Sequence, residues 1–486
     1  MNTTALNHEI VKKTTVAAYI CRMERKLGEP AVHKSLGWDK ATLFCVFFYF
    51  YFIKITTAQV DTVSLLRTVT VKVDSLFQHQ KYDSITTFFN ETMHSKLPAS
   101  QLESVWEGIP QLYGEFLKFD TIEYRKLDGY WGSRTLSSFK RGKLWLLLYF
   151  DSNLQITGLF LRPSADNDGG YEPPKYVDNS KFYETKTEVV TGSFKMPGIL
   201  TIPNDGLPHA AFILVQGSGA NDKNEQLFSH RPFQDLAWGL AAKGFVVLRY
   251  DKRTYIYGEG GIGEPGKITI RDEYLDDVKS AVALLKTKAY INPKEIVVLG
   301  HSQGAMILPL IAQDNKDLAG FIHLAGPARK LQDIIPDQMA YLSKGYENDS
   351  ETMQDVGKAL AQVKLGDSDT LKLNTPGDML PLGFPGSYWL NFRRYDPLKA
   401  NVKLKKPILY LQGQRDYQVT MKNWEMLLSK VKNKKASFKL YPKLNHLFAE
   451  GNGPSMLAEY TEPGNIPEYV INDIAAWLGG VLRGGR

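Results

Sequence analysis

The sequence predicts a mainly parallel α/β sheet with helices on both faces, preceded by a small α+β domain. Three observations predict it. Beyond residue 180, short apolar runs alternate with amphipathic segments of helix length. Between about 60 and 165, helix-like segments come first and strand-like ones follow, without interleaving. A polar stretch rich in Gly and Pro, SADNDGGYEPPKYVDNS from Ser164 to Ser180, separates the two rhythms. Interleaving implies crossover connections and a parallel sheet buried on both faces, whereas segregation implies an α+β unit.

The elements justify this in order. Ala41–Ile53, ATLFCVFFYFYFI, is uncharged and almost wholly apolar, and follows Arg22, Arg25, Lys26, Lys34 and Lys40. It is short for a membrane span and suits the apolar core of a secretory signal, with small residues at Thr56–Ala58 for cleavage before Gln59. Residues 1–58 are expected to be a signal peptide of a secreted or extracytoplasmic protein. The alternatives are an uncleaved anchor, giving membrane association through 41–53, and a buried strand. Both cysteines, Cys21 and Cys45, lie in this segment, so a cleaved product has neither disulfides nor thiolate metal sites.

Residues 60–165 form the small domain. VSLLRTVTVKVDSLFQHQKYDSITTFF and LPASQLESVWEGIPQLYGEFLKF read as helices; IEYRKLDGYWG, RTLSSFKRGKLWLLLYFD and QITGLFLRP read as strands. Residues 166–180 read as a linker. Residues 181–486 form the large domain. HAAFILVQG, FVVLRYD, EIVVLGHS, KPILYLQG and ASFKLYP are each followed by a helical segment. Between about 329 and 396 the rhythm breaks into helices and a Pro/Gly/aromatic stretch, expected to lie over the site as a lid. Ligands of such sheets sit beyond the carboxyl ends of the strands.

Composition narrows the function. The 486 residues are 43% hydrophobic and 23% charged, as in a soluble globular protein. Of the net charge of +7, residues 1–58 hold eight Lys/Arg against four Asp/Glu, leaving about +3 elsewhere and no dense basic stripe. Nucleic acid is therefore excluded as an expected partner. The glycine-rich GSGAND and GEGGIGEPG lack the Gly-Lys-Ser/Thr ending and the full dinucleotide fingerprint, so no phosphate-bearing cofactor is expected. No His pair stands at metal-binding spacing, so no metal is expected either.

Gly300-His301-Ser302-Gln303-Gly304 follows a buried strand and opens a helix. A serine there sits on a cramped turn that small neighbours at 300 and 304 permit, and the following amide, Gln303 N–H, faces any oxyanion that forms. The serine needs a base, and only two of nine histidines follow it. His323 lies within the apolar AGFIHLAG and reads as core; His446, in the loop KLNHLFAEG after a strand, reads as the base. Of eleven aspartates between Ser302 and His446, Asp416 directly follows a strand, KPILYLQG. Asp378, Asp396 and Glu450 are back-ups, and a helix cap near Thr420 is the ordinary alternative for Asp416. LVQGSGANDKNE supplies the second donor, Ser218 N–H, with Gly217 and Gly219 allowing close substrate approach. Met379, Leu382, Phe384, Tyr388 and Trp389 either line a substrate pocket or anchor the lid.

QGSGANDKNE, RPFQDLAWGLAAKGFVVLRYDKRT, GHSQGAMILPLIA, QGQRD and LNHLF, in this order, resemble the α/β-hydrolase superfamily, in particular esterases of its dienelactone-hydrolase-like and prolyl-oligopeptidase-like branch. The resemblance covers residues 180–486; the segment 60–165 resembles a cystatin-like or NTF2-like domain. It implies a small-molecule carboxylic ester as substrate, Ser302, Asp416 and His446 as triad, and the Ser218 and Gln303 amides as oxyanion hole. Gln216 stands where many relatives have histidine. Asn221, Asp222, Asp251, Lys252 and Arg253 also match, either shaping the pocket or, the favoured reading, bracing two loops through ion pairs. A peptidase or aminoacyl hydrolase, an acyltransferase, and a non-catalytic binding protein remain alternatives. Oligomeric state and natural substrate are open.

Overall fold

The computed structural model describes residues 47–484, less 128–129, 141, 165–170, 260, 265, 345–349, 457–458 and 461. The cysteines and the first half of the apolar run 41–53 lie outside the described residues. The chain divides between Gly170 and Tyr171 into two compact units.

The first unit opens with a 32-residue helix, Phe47–Gln78, followed by short helices Tyr82–Thr86 and Glu91–Lys96 and a longer one, Ala99–Tyr113. Strands β1 (Phe116–Leu127), β2 (Tyr130–Phe139), β3 (Gly142–Phe150) and β4 (Ile156–Pro163) form an antiparallel sheet in that order. From Phe47 onward the apolar run is helical, which corrects the buried-strand alternative, and the helix continues through Thr56–Ala58. No helix among the described residues is long and apolar enough to cross a membrane. Leu66, Val73 and Phe77 of the first helix pack with Trp106, Ile109, Leu146 and Leu148. A polar seam crosses this core. Thr70 donates to Ser133 at 2.9 Å, and Thr135 donates to Asp74 at 2.8 Å. Burial raises the Asp74 pKa to about 7, against the opposing pull of the Thr135 hydrogen bond.

The second unit is built on an eight-stranded sheet. Its strands are β5 (Phe182–Thr191), β6 (Phe194–Pro203), β7 (His209–Val215), β8 (Val246–Tyr250), β9 (Ile291–His301), β10 (Gly320–Leu324), β11 (Ile408–Gly413) and β12 (Ala436–Tyr441). Their order is β12-β11-β10-β9-β7-β8-β6-β5. From β8 to β12 every pairing is parallel; β6 joins β8 antiparallel and carries β5 as a hairpin partner. The sequence reading missed this hairpin because β5 is an edge strand with mostly exposed polar residues, YETKTE. Its two-residue turn has Gly192 at φ +59°, a conformation glycine adopts without strain.

Strand residues alternate between two apolar layers. Phe212, Leu214, Val297 and Leu299 face helices Pro232–Ala241 and Glu468–Gly484, while Ile213, Val215 and Val298 pack with helix Asp276–Lys286. Each layer excludes water from a full face, which is why these strands read as continuous apolar runs. The rhythm break falls between β10 and β11 and contains helices Leu331–Leu342, Ser350–Asp367 and Gly386–Phe392. Of the expected linker 166–180, Tyr171 and Tyr176 belong to the second unit. Tyr171 donates to Asp235 at 2.6 Å and Tyr176 to the Ile466 carbonyl at 2.8 Å.

The chain runs from β7 outward to β8, then returns to place β9 on the other side of β7. This reversal opens a crevice at the carboxyl ends of β7 and β9, the place where doubly wound sheets hold ligands.

Candidate active site

Strand register gathers the predicted residues at one edge. Val215 pairs with Gly300, His301 with Leu324, Leu324 with Leu411, and Gly413 with Tyr441. The loops that follow these strands carry Ser218, Ser302, Asp416 and His446.

Ser302 sits between β9 and helix Gln303–Met306 with φ +52° and ψ −118°, a region that side chains rarely occupy. Its amide is held by the Leu324 carbonyl at 2.9 Å. The flanking glycines are sterically required. A Cβ on Gly300 would strike the Gly304 backbone, and one on Gly304 would strike the Val215 and Gln216 carbonyl oxygens. A Cβ on Gly217 would stand 3.0 Å from the Ser302 Cβ, so the glycine-rich loop lies directly against the serine.

His446 is buried, and its Nδ1 is 2.7 Å from Asp416 Oδ2. Asp416 Oδ1 accepts from the amides of Gln418 at 2.8 Å and Val419 at 2.9 Å, and Gln412 Nε2 donates to Oδ2 at 3.1 Å. This carboxylate therefore has one free direction, and it points at the imidazole. The helix-cap alternative does not apply, because helix Met421–Lys430 begins at Thr420 without a side-chain cap. The back-ups have other partners: Asp396 caps Lys399 at 2.9 Å, and Glu450 accepts from Tyr469 at 2.9 Å. His323 is core, as read from sequence, and burial lowers its pKa to about 3. With Nδ1 engaged by Asp416, Nε2 is the basic nitrogen left to His446. Among the described residues neither it nor the Ser302 hydroxyl has a hydrogen-bond partner.

The two expected oxyanion donors, the Ser218 and Gln303 amides, likewise donate to nothing among the described residues, whereas the Gly217 amide is taken by Glu225 Oε1 at 2.6 Å. The loop around Ser218 is braced from behind. Gln216 Nε2 donates to the Tyr250 carbonyl, which gives this glutamine the supporting job. Asn221 Nδ2 donates to the Ser218 carbonyl at 3.0 Å, and Asp251 accepts from the Lys223 amide at 2.7 Å. Asp222 accepts from the amides of Asn224 and Gln226, and Arg253 pairs with Asp277. With Lys252 donating to the Gly217 and Gly219 carbonyls, all five residues singled out by resemblance hold local backbone or a neighbouring charge in place.

Tyr388 and Trp389 are 0% and 1% exposed. Tyr388 accepts from Gln303 Nε2 at 2.7 Å and Trp389 Nε1 donates to the Pro381 carbonyl at 3.0 Å. Of the two roles open to them, the structure supplies anchoring. Phe384 is buried beside them, stacked on Tyr388 at 4.1 Å, while Met379 is half exposed.

Sequence reasoning missed one pair. Glu225 Oε2 lies 2.9 Å from His301 Nδ1, and His301 Nε2 meets the His446 carbonyl at 3.0 Å. Burial opposes charge on His301, but Glu225 and that carbonyl outweigh it and raise the pKa. The only sequence signal was position, inside the serine motif and at the end of the glycine-rich loop. Among the described residues no group of three His, Cys, Asp or Glu side chains is arranged to hold a metal ion.

Residues 229–450 match the family described as Serine aminopeptidase, S33, and residues 71–159 match a Protein of unknown function family (DUF3887). Esterase EstD of Thermotoga maritima is 31% identical over 401 residues, covering 82% of this chain and 92% of the relative. The chain belongs to the esterase family of α/β hydrolases. This esterase is a carboxylic ester hydrolase. Solved structures similar to it include Est1E of Butyrivibrio proteoclasticus, with 17% identity, TM-score 0.40, and coverage of 61% of this chain and 99% of that one. An esterase of Pyrococcus furiosus has 17% identity and TM-score 0.39 over 64% of this chain and 97% of that one.

Proposed function

We propose that the esterase works through a Ser302–His446–Asp416 triad and an acyl-enzyme intermediate. The observation that carries this reading is the 2.7 Å bond from His446 Nδ1 to Asp416, which leaves Nε2 as base on a residue whose carbonyl meets His301, next in the chain to the strained Ser302. Ser302 Oγ attacks the ester carbonyl carbon as His446 Nε2 takes its proton. The Ser218 and Gln303 amides hold the oxyanion, each worth about 3 kcal/mol in the transition state. Collapse expels the alcohol, which receives the proton from His446, and leaves an acyl group on Ser302. Water, deprotonated by His446, then attacks the acyl carbon and releases the carboxylic acid.

Ser302→Ala is expected to abolish hydrolysis of a short p-nitrophenyl ester and labelling by a fluorophosphonate, with an unchanged circular dichroism spectrum. Retained turnover would remove the assignment. The family description Serine aminopeptidase supports including aminoacyl and peptide substrates in the same panel. Turnover of those in preference to simple esters would shift the reading to a peptidase.

We also propose that Ala41–Ile53 directs export. N-terminal sequencing of the protein from its native host is expected to begin at Gln59. A start upstream of Ala41 would instead support the anchor.

A further inference from the structure

We propose that Lys252 is a positioning residue for ester hydrolysis: from the buried side, it holds the Gly217–Ser218 peptide in the orientation that turns the Ser218 N–H toward the reacting carbonyl oxygen. The inference rests on the reading of Ser302 as nucleophile and Ser218 as oxyanion donor.

In a trans peptide the carbonyl and the next N–H point in opposite directions, so fixing one aims the other. The Gly217 carbonyl accepts three hydrogen bonds, from Lys252 Nζ at 2.8 Å, Tyr274 OH at 2.7 Å and Asn221 Nδ2 at 3.3 Å. Lys252 Nζ also donates to the Gly219 carbonyl at 3.0 Å. The loop needs such a clamp. Gly217 and Gly219 flank Ser218, Gly219 has φ +84°, and glycine gives a peptide unusual freedom to turn over. A cationic donor also polarises the amide it binds, which strengthens the opposite N–H as a donor.

The proton count explains the arrangement. Lys252 has three N–H groups, which go to Gly217, Gly219 and the Tyr274 hydroxyl at 2.6 Å. Glu273 Oε1 stands 2.6 Å from Nζ as the ion-pair partner of this ammonium. Its other oxygen, Oε2, accepts from Tyr388 OH at 2.6 Å, and that hydroxyl accepts from Gln303 Nε2. One buried pair therefore reaches both residues that present oxyanion amides. Lys252 is 2% exposed and Glu273 1%. Desolvation drives the lysine pKa down and the glutamate pKa up, so each charge depends on the other. Burying such a pair seldom adds stability over well-packed apolar residues, so its presence here is better explained by what it aims.

The test compares Lys252→Met with the double variant Lys252→Met/Glu273→Gln, which leaves no lone buried carboxylate, and with Tyr274→Phe, which removes one clamp donor without changing charge. For each, kcat and KM on a short p-nitrophenyl ester, affinity for a trifluoromethyl ketone as transition-state mimic, and the thermal midpoint are measured. Both lysine variants are expected to lose about 10- to 100-fold in kcat with KM within about twofold. Affinity for the ketone falls by the same factor, and Tyr274→Phe shows a smaller loss of the same kind. Wild-type kcat and ketone affinity in a folded lysine variant would overturn the proposal. Should neither lysine variant fold, wild-type values in Tyr274→Phe overturn it. If Ser302→Ala stays active, the underlying triad has failed; if it is dead while the Lys252 variants are unaltered, only this inference has.

Discussion

Asp416 divides its carboxylate among four donors: two backbone amides, one glutamine side chain and the imidazole of His446. The first three fix its plane, so the fourth bond fixes the tautomer of His446. Asp416→Asn keeps the volume but presents an amide to Nδ1, which favours the wrong tautomer. The expected result is a fall in kcat of roughly four orders of magnitude with KM little changed, measured by steady-state kinetics. A loss under tenfold would mean that another group orients the imidazole. The positions of Ser302, Asp416 and His446 beyond strand ends were legible because each lies at a turn after a strand, where punctuation is strong. Gln412, Glu225 and His301 were not, because their roles come from partners four, eight and 145 positions away that only the register brings together.

Among elements, the first helix of the small unit carries the clearest pH dependence. Asp74 faces β2, accepts a bond from Thr135 within the polar seam, and lies near enough to Tyr124 to raise the pKa of that phenol. Its folded pKa of about 7 lies above the ordinary aspartate value of 3.8, so near neutral pH the folded state holds a proton that the unfolded state has released. The contribution is complete below about pH 4 and is lost as pH rises toward 7, a change on the order of 4 kcal/mol. Melting followed by circular dichroism is expected to show this unit gaining stability from pH 7.5 down to about 5. Asp74→Asn removes that slope; an equal slope in the variant would place the titration elsewhere. The helices-then-strands order of this unit was legible from periodicity. The β5–β6 hairpin was not, since an exposed edge strand has no apolar alternation to show. The opposite failure occurred at Tyr388, whose aromatic character fitted pocket and anchor equally until its hydroxyl was found between Glu273 and Gln303.

Across the whole molecule, the parallel sheet of the second unit was legible because strands buried on both faces write themselves as unbroken apolar runs. That the crevice lies between β7 and β9 was not, because strand order is set by crossovers whose direction no local pattern records. The reversal there brings the glycine-rich loop against Ser302, whose φ of +52° is a global liability. Such a torsion costs about 1–3 kcal/mol for a residue with a Cβ, and alanine would suffer it as serine does. Glycine would not, although its greater freedom when unfolded offsets about 0.5–1 kcal/mol. Ser302→Gly is therefore expected to melt above Ser302→Ala, with both inert; the reverse order would mean that the turn is relaxed. A version of this chain with nothing to cleave would be the sturdier object. On the proposed triad, the kink it keeps is the mark of an occupation, a sacrifice of toughness for reach.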